Sequence, residues 1–350
     1  MSAPQPAGRF IVIGENIHAS RVVRRDGRHV VTLPGGQEAV GFADGTGAPR
    51  ALMLPDSIRD SQDALRGRIK HVRAAVIAGM SAAEPGGSDG RAYLQALAAR
   101  QIEAGADYLD LNVDELSAVD SDRQAAMRWL VGVVEEVSPV PIALDSSSPD
   151  VIQAGLEQWQ GRVGRPLVNS ASLERLDVLD LAAAGGCPVV ISAVGTQALP
   201  ASAEERVANA SRMVQAAMQR GLAPGQLFVD PLVMPAAAHP DAAAHCLEAI
   251  TRLRSSWGPG IHITGGFSNV SFGLPARRLV NDTFLALAIG AGADSGIIDP
   301  LTSDPARAVA IDRASRPYQL ALDLLLGRDR YGRQFLAAYR AGQLGTTTTP

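Results

Sequence analysis

Eight short apolar, β-rich runs recur along this chain, and helix-like segments fill the spaces between them. The runs are FIVIG (10–14), DYLDLN (107–112), VPIALDS (140–146), PLVNS (166–170), CPVVISAV (187–194), QLFVDP (226–231), GIHITGG (260–266) and DSGIIDP (294–300). Strands with continuous rather than alternating apolarity suit a parallel sheet covered on both faces. Between them the spacing predicts helices over 91–104, 121–137, 149–159, 173–185, 203–220, 241–256, 276–291 and 304–325. Strand–helix alternation repeated eight times predicts an α/β fold, a (β/α)8 TIM barrel occupying 1–350 as a single domain. A doubly wound open sheet is the rival, but no GxGxxG follows the first strand to support a dinucleotide fold.

Two stretches break the rhythm. Residues 21–56 carry Asp26-Gly27, Gly35-Gly36 and Asp44-Gly45 as turn signals around short β-like runs, predicting a β-hairpin insertion after the first strand. An extra helix is expected near 57–79, a flexible loop at EPGGSDG (84–90), and a disordered tail at 345–350.

The net charge of −4 gives no basic footprint for nucleic acid. The N-terminal MSAPQPAGRF lacks the pattern of a signal peptide, and no apolar run reaches the ~20 residues of a membrane span. The expectation is a soluble, cytoplasmic protein with no membrane partner. Cys187 and Cys246 fit neither a disulfide framework nor a zinc site and read as buried thiols in a reducing compartment. Lys70 is the only lysine.

In (β/α)8 barrels the chemistry sits at the C-terminal ends of the strands. Here those ends are dense in carboxylates and carboxamides: Glu15 and Asn16, Asp110 and Asn112, Asp145, Asn169, Asp230, Ser268 and Asn269, then Asp299. One such residue is ordinarily a cap or loop anchor. Several together point to a ligand, because buried carboxylates need partners. There is no His-Glu-x-x-His pair or cysteine cluster, so no bound metal is expected. GxSxG and P-loop motifs are also absent. Mixed Asp and Asn side chains suit a heterocycle with alternating donors and acceptors, such as a pterin, whose 2-amino group and N3–H donate together to one carboxylate.

The segment GFSNVSFGLPARRLVNDTFLALAIGAGADSGIIDP (266–300) resembles the signature of methyltetrahydrofolate:corrinoid protein methyltransferases. These share a pterin-binding barrel with dihydropteroate synthase and the folate domain of methionine synthase. IGEN (13–16), YLDLNVDE (108–115), PIALDSSSPDVIQAGLE (141–157), LVNSAS (167–172) and LFVDPLVMP (227–235) match in the same order, so the resemblance covers roughly 10–325. It implies that methyltetrahydrofolate or tetrahydrofolate is the substrate, that the cobalamin-type corrinoid arrives on a partner protein, and that the chain is a homodimer.

The resemblance also implies residue roles. Asp230 holds the 2-amino/N3 edge, Asp145 and Asn169 contact other polar atoms of the ring, and Asn269 reaches the methyl-bearing N5 as the catalytic residue. Ser268 and Arg277 line the site, Asp110 and Asn112 organise its floor, and Glu15 belongs to the same rim. His18 and Phe272 stand where the family carries Asn or another polar residue.

Dihydropteroate synthase chemistry is the first alternative. It needs a lysine at the pterin, whereas Lys70 is expected in the extra helix, far from any strand end, and IIDPLTSD supplies no cation for a leaving pyrophosphate. Methionine synthase chemistry needs zinc thiolates and a DxHxxG corrinoid motif, both missing here. A non-catalytic folate-binding protein is the second alternative. The direction of methyl transfer is not legible in the residues.

Overall fold

The computed structural model describes residues 8–81 and 86–344. The eight runs become strands β1 (Ile11–His18), β2 (Tyr108–Asn112), β3 (Ile142–Asp145), β4 (Leu167–Ala171), β5 (Val189–Ser192), β6 (Leu227–Asp230), β7 (His262–Ile263) and β8 (Ser295–Ile298). Hydrogen bonds join them in the order β7-β6-β5-β4-β3-β2-β1-β8, and a parallel bridge links Gly266 after β7 to Ile297 of β8. This is the expected (β/α)8 barrel fold. Leu109, Leu111, Ala143, Leu144, Leu167, Val168, Val189, Ile191, Leu227 and Val229 are all fully buried, the signature of strands covered on both sides. β7 is shorter than its apolar run because Gly265-Gly266 end it.

The chain's internal contacts divide it into two compact units, Gly14–Asn169 and a second containing residues up to Ile13 and from Ser170 onward. In the first unit, strand register sets polar ends level with one another: Asn112 lies opposite Asp145, and Asp145 opposite Asn169. Helix Asp120–Glu135 packs on β2 and helix Pro149–Gln158 on β3, and Gly155 sits where a Cβ would meet Leu144 at 2.7 Å. Helices His71–Met80 and Gly86–Glu103 cross closely at Gly79 and Gly90; a Cβ on Gly90 would lie 2.4 Å from the Ala75 carbonyl. In the second unit Ser192 lies opposite Asp230, and Phe267 packs edge-on against Phe284 of helix Arg277–Ala291 at 5.7 Å. Cys187 and Cys246 are free and buried.

The insertion is more elaborate than a single hairpin. Strands Val30–Thr32, Glu38–Ala43 and Pro49–Met53 form a three-stranded antiparallel sheet, while Val22–Arg24 pairs with Arg68–Lys70. The single helix expected near 57–79 is divided into short helices Asp56–Arg59 and Gln62–Leu65, the strand Arg68–Lys70, and helix His71–Met80. Gly67, at φ +77°, turns the chain there. The helix expected over 304–325 breaks into Pro305–Val309 and Arg316–Leu325, where Asp312 caps Ala314 and Pro317 begins the second piece. A further helix, Arg333–Arg340, follows. Residues 86–90 of the expected loop are helical, and the expected tail at 345–350 lies outside the described residues. No helix among the described residues is long and apolar enough to cross a membrane.

Candidate active site

In the first unit, four site residues form two hydrogen-bonded pairs. Asn112 donates from Nδ2 to Asp145 Oδ2 at 2.9 Å, while its Oδ1 accepts the Asp114 backbone N–H, which fixes the orientation of the carboxamide. Asn169 donates from Nδ2 to Asp110 Oδ1 at 3.2 Å. Asp110 is only 2% exposed. Burial raises its pKa well above the usual carboxylate range, and the neighbouring Asp145 charge raises it further, against the Asn169 N–H. Asp110 therefore holds its proton where an ordinary aspartate would not, and can donate a hydrogen bond.

Glu15 lies within β1, which runs on to His18 past the polar residues expected to end it, and stands beside Arg21, whose Nη2 sits 2.7 Å from both Glu15 Oε1 and Asn16 Oδ1. Gln101, fully buried, accepts the Asn16 N–H at 2.9 Å, and its own Nε2 has no hydrogen-bond partner among the described residues. Both Arg21 and Gln101 escaped the sequence reading. Arg21 looked like part of the insertion's charged run, whereas Gln101 was a polar residue on the apolar face of its helix, a signal that was available.

His18 accepts the Ser20 N–H at Nδ1 and contacts the Ser20 hydroxyl at 2.7 Å, closing the turn after β1. Burial, then the Arg21 charge, lower its pKa and favour the neutral ring. Lys70 is nearer a strand end than expected. Its Nζ lies 2.8 Å from Glu115, three residues past β2, and 2.9 Å from Asp63, so the only ammonium is held by two carboxylates.

In the second unit, Asp230 ends β6. Its Oδ1 accepts the Leu232 N–H at 2.7 Å, and its other oxygen has no protein partner among the described residues. The residue keeps some surface, yet burial around the carboxyl pushes its pKa up to about 6, opposed by that N–H and by the Arg206 charge. Leu232 adopts a left-handed φ of 69°, a strained conformation for its type and one that clusters at functional sites.

The two glycines after β7 bring Asp230 and Asn269 to adjacent backbone positions. A Cβ on Gly265 would meet Asp230 Oδ1 at 3.2 Å, and one on Gly266 would meet Asn269 Nδ2 at 2.7 Å. Asn269 is partly exposed, and its carboxamide makes no hydrogen bond among the described residues. Ser268 is buried. Arg277 is spent locally: Nε donates to Ser271 Oγ at 3.0 Å, Nη2 to the Ser268 carbonyl at 3.2 Å, and the guanidinium covers the Phe272 ring at 4.8 Å. Phe272 is thus the platform for Arg277. Asp299 accepts the backbone N–H groups of Leu301, Thr302 and Ser303, forming the turn after β8.

Among the described residues no three His, Cys, Asp or Glu side chains gather as a metal ligand set.

The chain has the (β/α)8 fold and belongs to the pterin binding enzyme family, whose model matches residues 88–299. A methylcorrinoid:tetrahydrofolate methyltransferase of Eubacterium limosum is 31% identical over 260 residues, covering 73% of this chain and 89% of that protein. Methionine synthase of Mycobacterium leprae is 31% identical over 251 residues, covering 67% of this chain and 20% of that enzyme. Among solved structures, the Yersinia pestis dihydropteroate synthase with a sulfonamide drug superposes with a TM-score of 0.51 at 14% identity, covering 89% of this chain and 97% of that one, a likeness of fold.

Proposed function

We propose that this protein is a methyltransferase that moves a methyl group between N5 of (methyl)tetrahydrofolate and the cobalt of a corrinoid carried by a separate protein, acting as a cytoplasmic homodimer with one pterin-binding barrel per chain. One observation carries the reading: Asp230 is a confined carboxylate with an oxygen left without a partner among the described residues, the acceptor that a pterin's 2-amino and N3–H groups require. The Eubacterium limosum relative, matched over 89% of its length, supports the choice of reaction.

In this reading Asp230 takes the donor edge of the ring, while Asp145 and Asn169 take other polar atoms of the pterin. Asp110 and Asn112 orient them through the two hydrogen-bonded pairs. Ser268 and Arg277 shape the turn that carries Asn269, and Glu15 forms part of the rim. A tertiary amine leaves poorly as an anion, so N5 takes up a proton from solvent as the N–C bond breaks, and hydrogen bonding between Asn269 and that N5–H which strengthens in the transition state lowers the barrier. The same contact serves transfer in either direction. The partner's corrinoid supplies the nucleophilic or methyl-bearing cobalt.

Titration with methyltetrahydrofolate, tetrahydrofolate and dihydropterin pyrophosphate tests the assignment. The two folates bind and the pyrophosphate does not compete well, because the single lysine is already engaged by Asp63 and Glu115. Tight pyrophosphate binding with catalysed condensation onto p-aminobenzoate would reverse the assignment.

The pKa of Asp230 sets a pH dependence. The pterin edge needs the ionised carboxylate, so affinity for methyltetrahydrofolate is flat above about 6 and falls roughly tenfold per pH unit below it. The ligand-free fold carries the opposite sign. Because the folded pKa is raised above the ordinary 3.8, this group's contribution to stability is full below 3.8 and is lost as pH rises through about 6. Isothermal titration between pH 5 and 8 reads the first effect, and an Asp230→Asn variant abolishes it.

A further inference from the structure

Arg206 projects from helix Ala203–Gln219 and is fully buried, where a guanidinium is costly unless its donors are used. Its Nη1 donates to the Pro231 carbonyl at 2.6 Å and also to the Leu232 carbonyl, while Nε and Nη2 have no hydrogen-bond partner among the described residues. The charged or titratable groups that act on it are Cys246, Asp230 and Glu205. The two carbonyls it grips bracket the left-handed turn at Leu232. The Leu232 N–H in turn donates to Asp230 Oδ1. A continuous chain of contacts therefore runs from a buried cation, through strained backbone, to the carboxylate at the end of β6.

We propose that Arg206 is a positioning residue for the pterin: it grips the Pro231 and Leu232 carbonyls from behind and thereby sets the direction of the Asp230 carboxylate without touching the ligand. The inference rests on the reading of Asp230 as the pterin acceptor. A guanidinium suits the task because the two N–H groups of its single nitrogen Nη1 are fixed in the guanidinium plane and meet both carbonyls in set directions, whereas an ammonium rotates freely about its stem. An arginine that only filled space would not need to hold a left-handed leucine beside a partnerless carboxylate oxygen. Two buried donors left unpaired are a cost that persists where the surrounding geometry over-determines a site.

The test compares the full-length wild type with Arg206→Lys and Arg206→Gln. Three quantities are read: the Asp230 carboxyl titration by 13C NMR without ligand, methyltetrahydrofolate affinity, and KM against kcat for methyl transfer to cob(I)alamin. In Arg206→Gln the Asp230 titration moves up from about 6, because the only cation acting on it is gone and only the Leu232 N–H still opposes burial. Affinity weakens about tenfold or more in both variants, and the loss appears in KM while kcat stays close to wild type. Folded variants with unchanged Asp230 titration and unchanged affinity overturn the inference. So does failure of both variants to fold, which would make the residue a stability element. If the wild type binds no folate, the functional reading fails, yet the ligand-free Asp230 titration still decides whether Arg206 controls that carboxylate.

Discussion

Asp230→Ala lowers affinity for methyltetrahydrofolate by about 2–4 kcal/mol, the cost of removing one member of a confined charge-assisted pair. At room temperature that is roughly 30- to 1,000-fold in Kd. The size of the effect follows from the site's geometry. Asp230 is enclosed enough for its pKa to rise to about 6, so water screens it poorly, and its second oxygen has no protein partner to compensate for a lost ligand. Replacement also removes the acceptor for the Leu232 N–H and relaxes the left-handed turn, so some of the loss is disorganisation of the loop. Asp230→Asn separates the two effects. The carboxamide still accepts from Leu232, but its other terminus presents N–H groups to the pterin's own donors. If Asp230→Asn retains wild-type affinity, the pterin is not held by that edge.

Asn269→Ala gives the complementary result: folate affinity within a few-fold of wild type and a turnover lower by about 100-fold or more, the usual cost of deleting a donor aimed at developing charge. The carboxamide of Asn269 makes no hydrogen bond among the described residues and stands over Gly266, so its removal breaks no internal contact. Thermal midpoint should therefore hardly move. Equal loss of binding and turnover would make Asn269 a ground-state contact instead of one made in the transition state. Single-turnover rates at saturating folate distinguish the two.

Asp230 could be singled out as the polar residue ending an apolar run, and Asn269 through the motif that follows the seventh run; the strands were legible because parallel strands buried on both sides carry unbroken apolar runs. All eight appear where the runs lie, most of them shortened by glycine or a polar residue, while β1 runs on to His18. Less could be read where burial gives no period. The strands of the insertion are three to six residues long with mixed polar and apolar composition, so turn signals revealed antiparallel pairing but not its extent. The segment 57–79 was expected to be one extra helix, and Gly67 at positive φ divides it. Arg206 and Gln101 were missed for different reasons. Gln101 stands on the apolar face of its helix, a signal that was available, whereas Arg206 follows Glu204 and Glu205 in a charged stretch, and only the three-dimensional packing shows that it points inward. Lys70 illustrates the reverse error, since sequence distance placed it away from the strand ends whereas pairing of Arg68–Lys70 with Val22–Arg24 carries it to Glu115.

The strongest consequence of the proposed function is transfer of the methyl group itself. Stopped-flow absorbance of cob(I)alamin mixed with methyltetrahydrofolate and the purified protein measures that transfer directly. The account predicts protein-dependent conversion to methylcobalamin that saturates in folate and nearly disappears in Asn269→Ala. Saturable folate binding with no conversion, to free cob(I)alamin or to a corrinoid protein, would contradict it and leave a folate-binding protein without this activity.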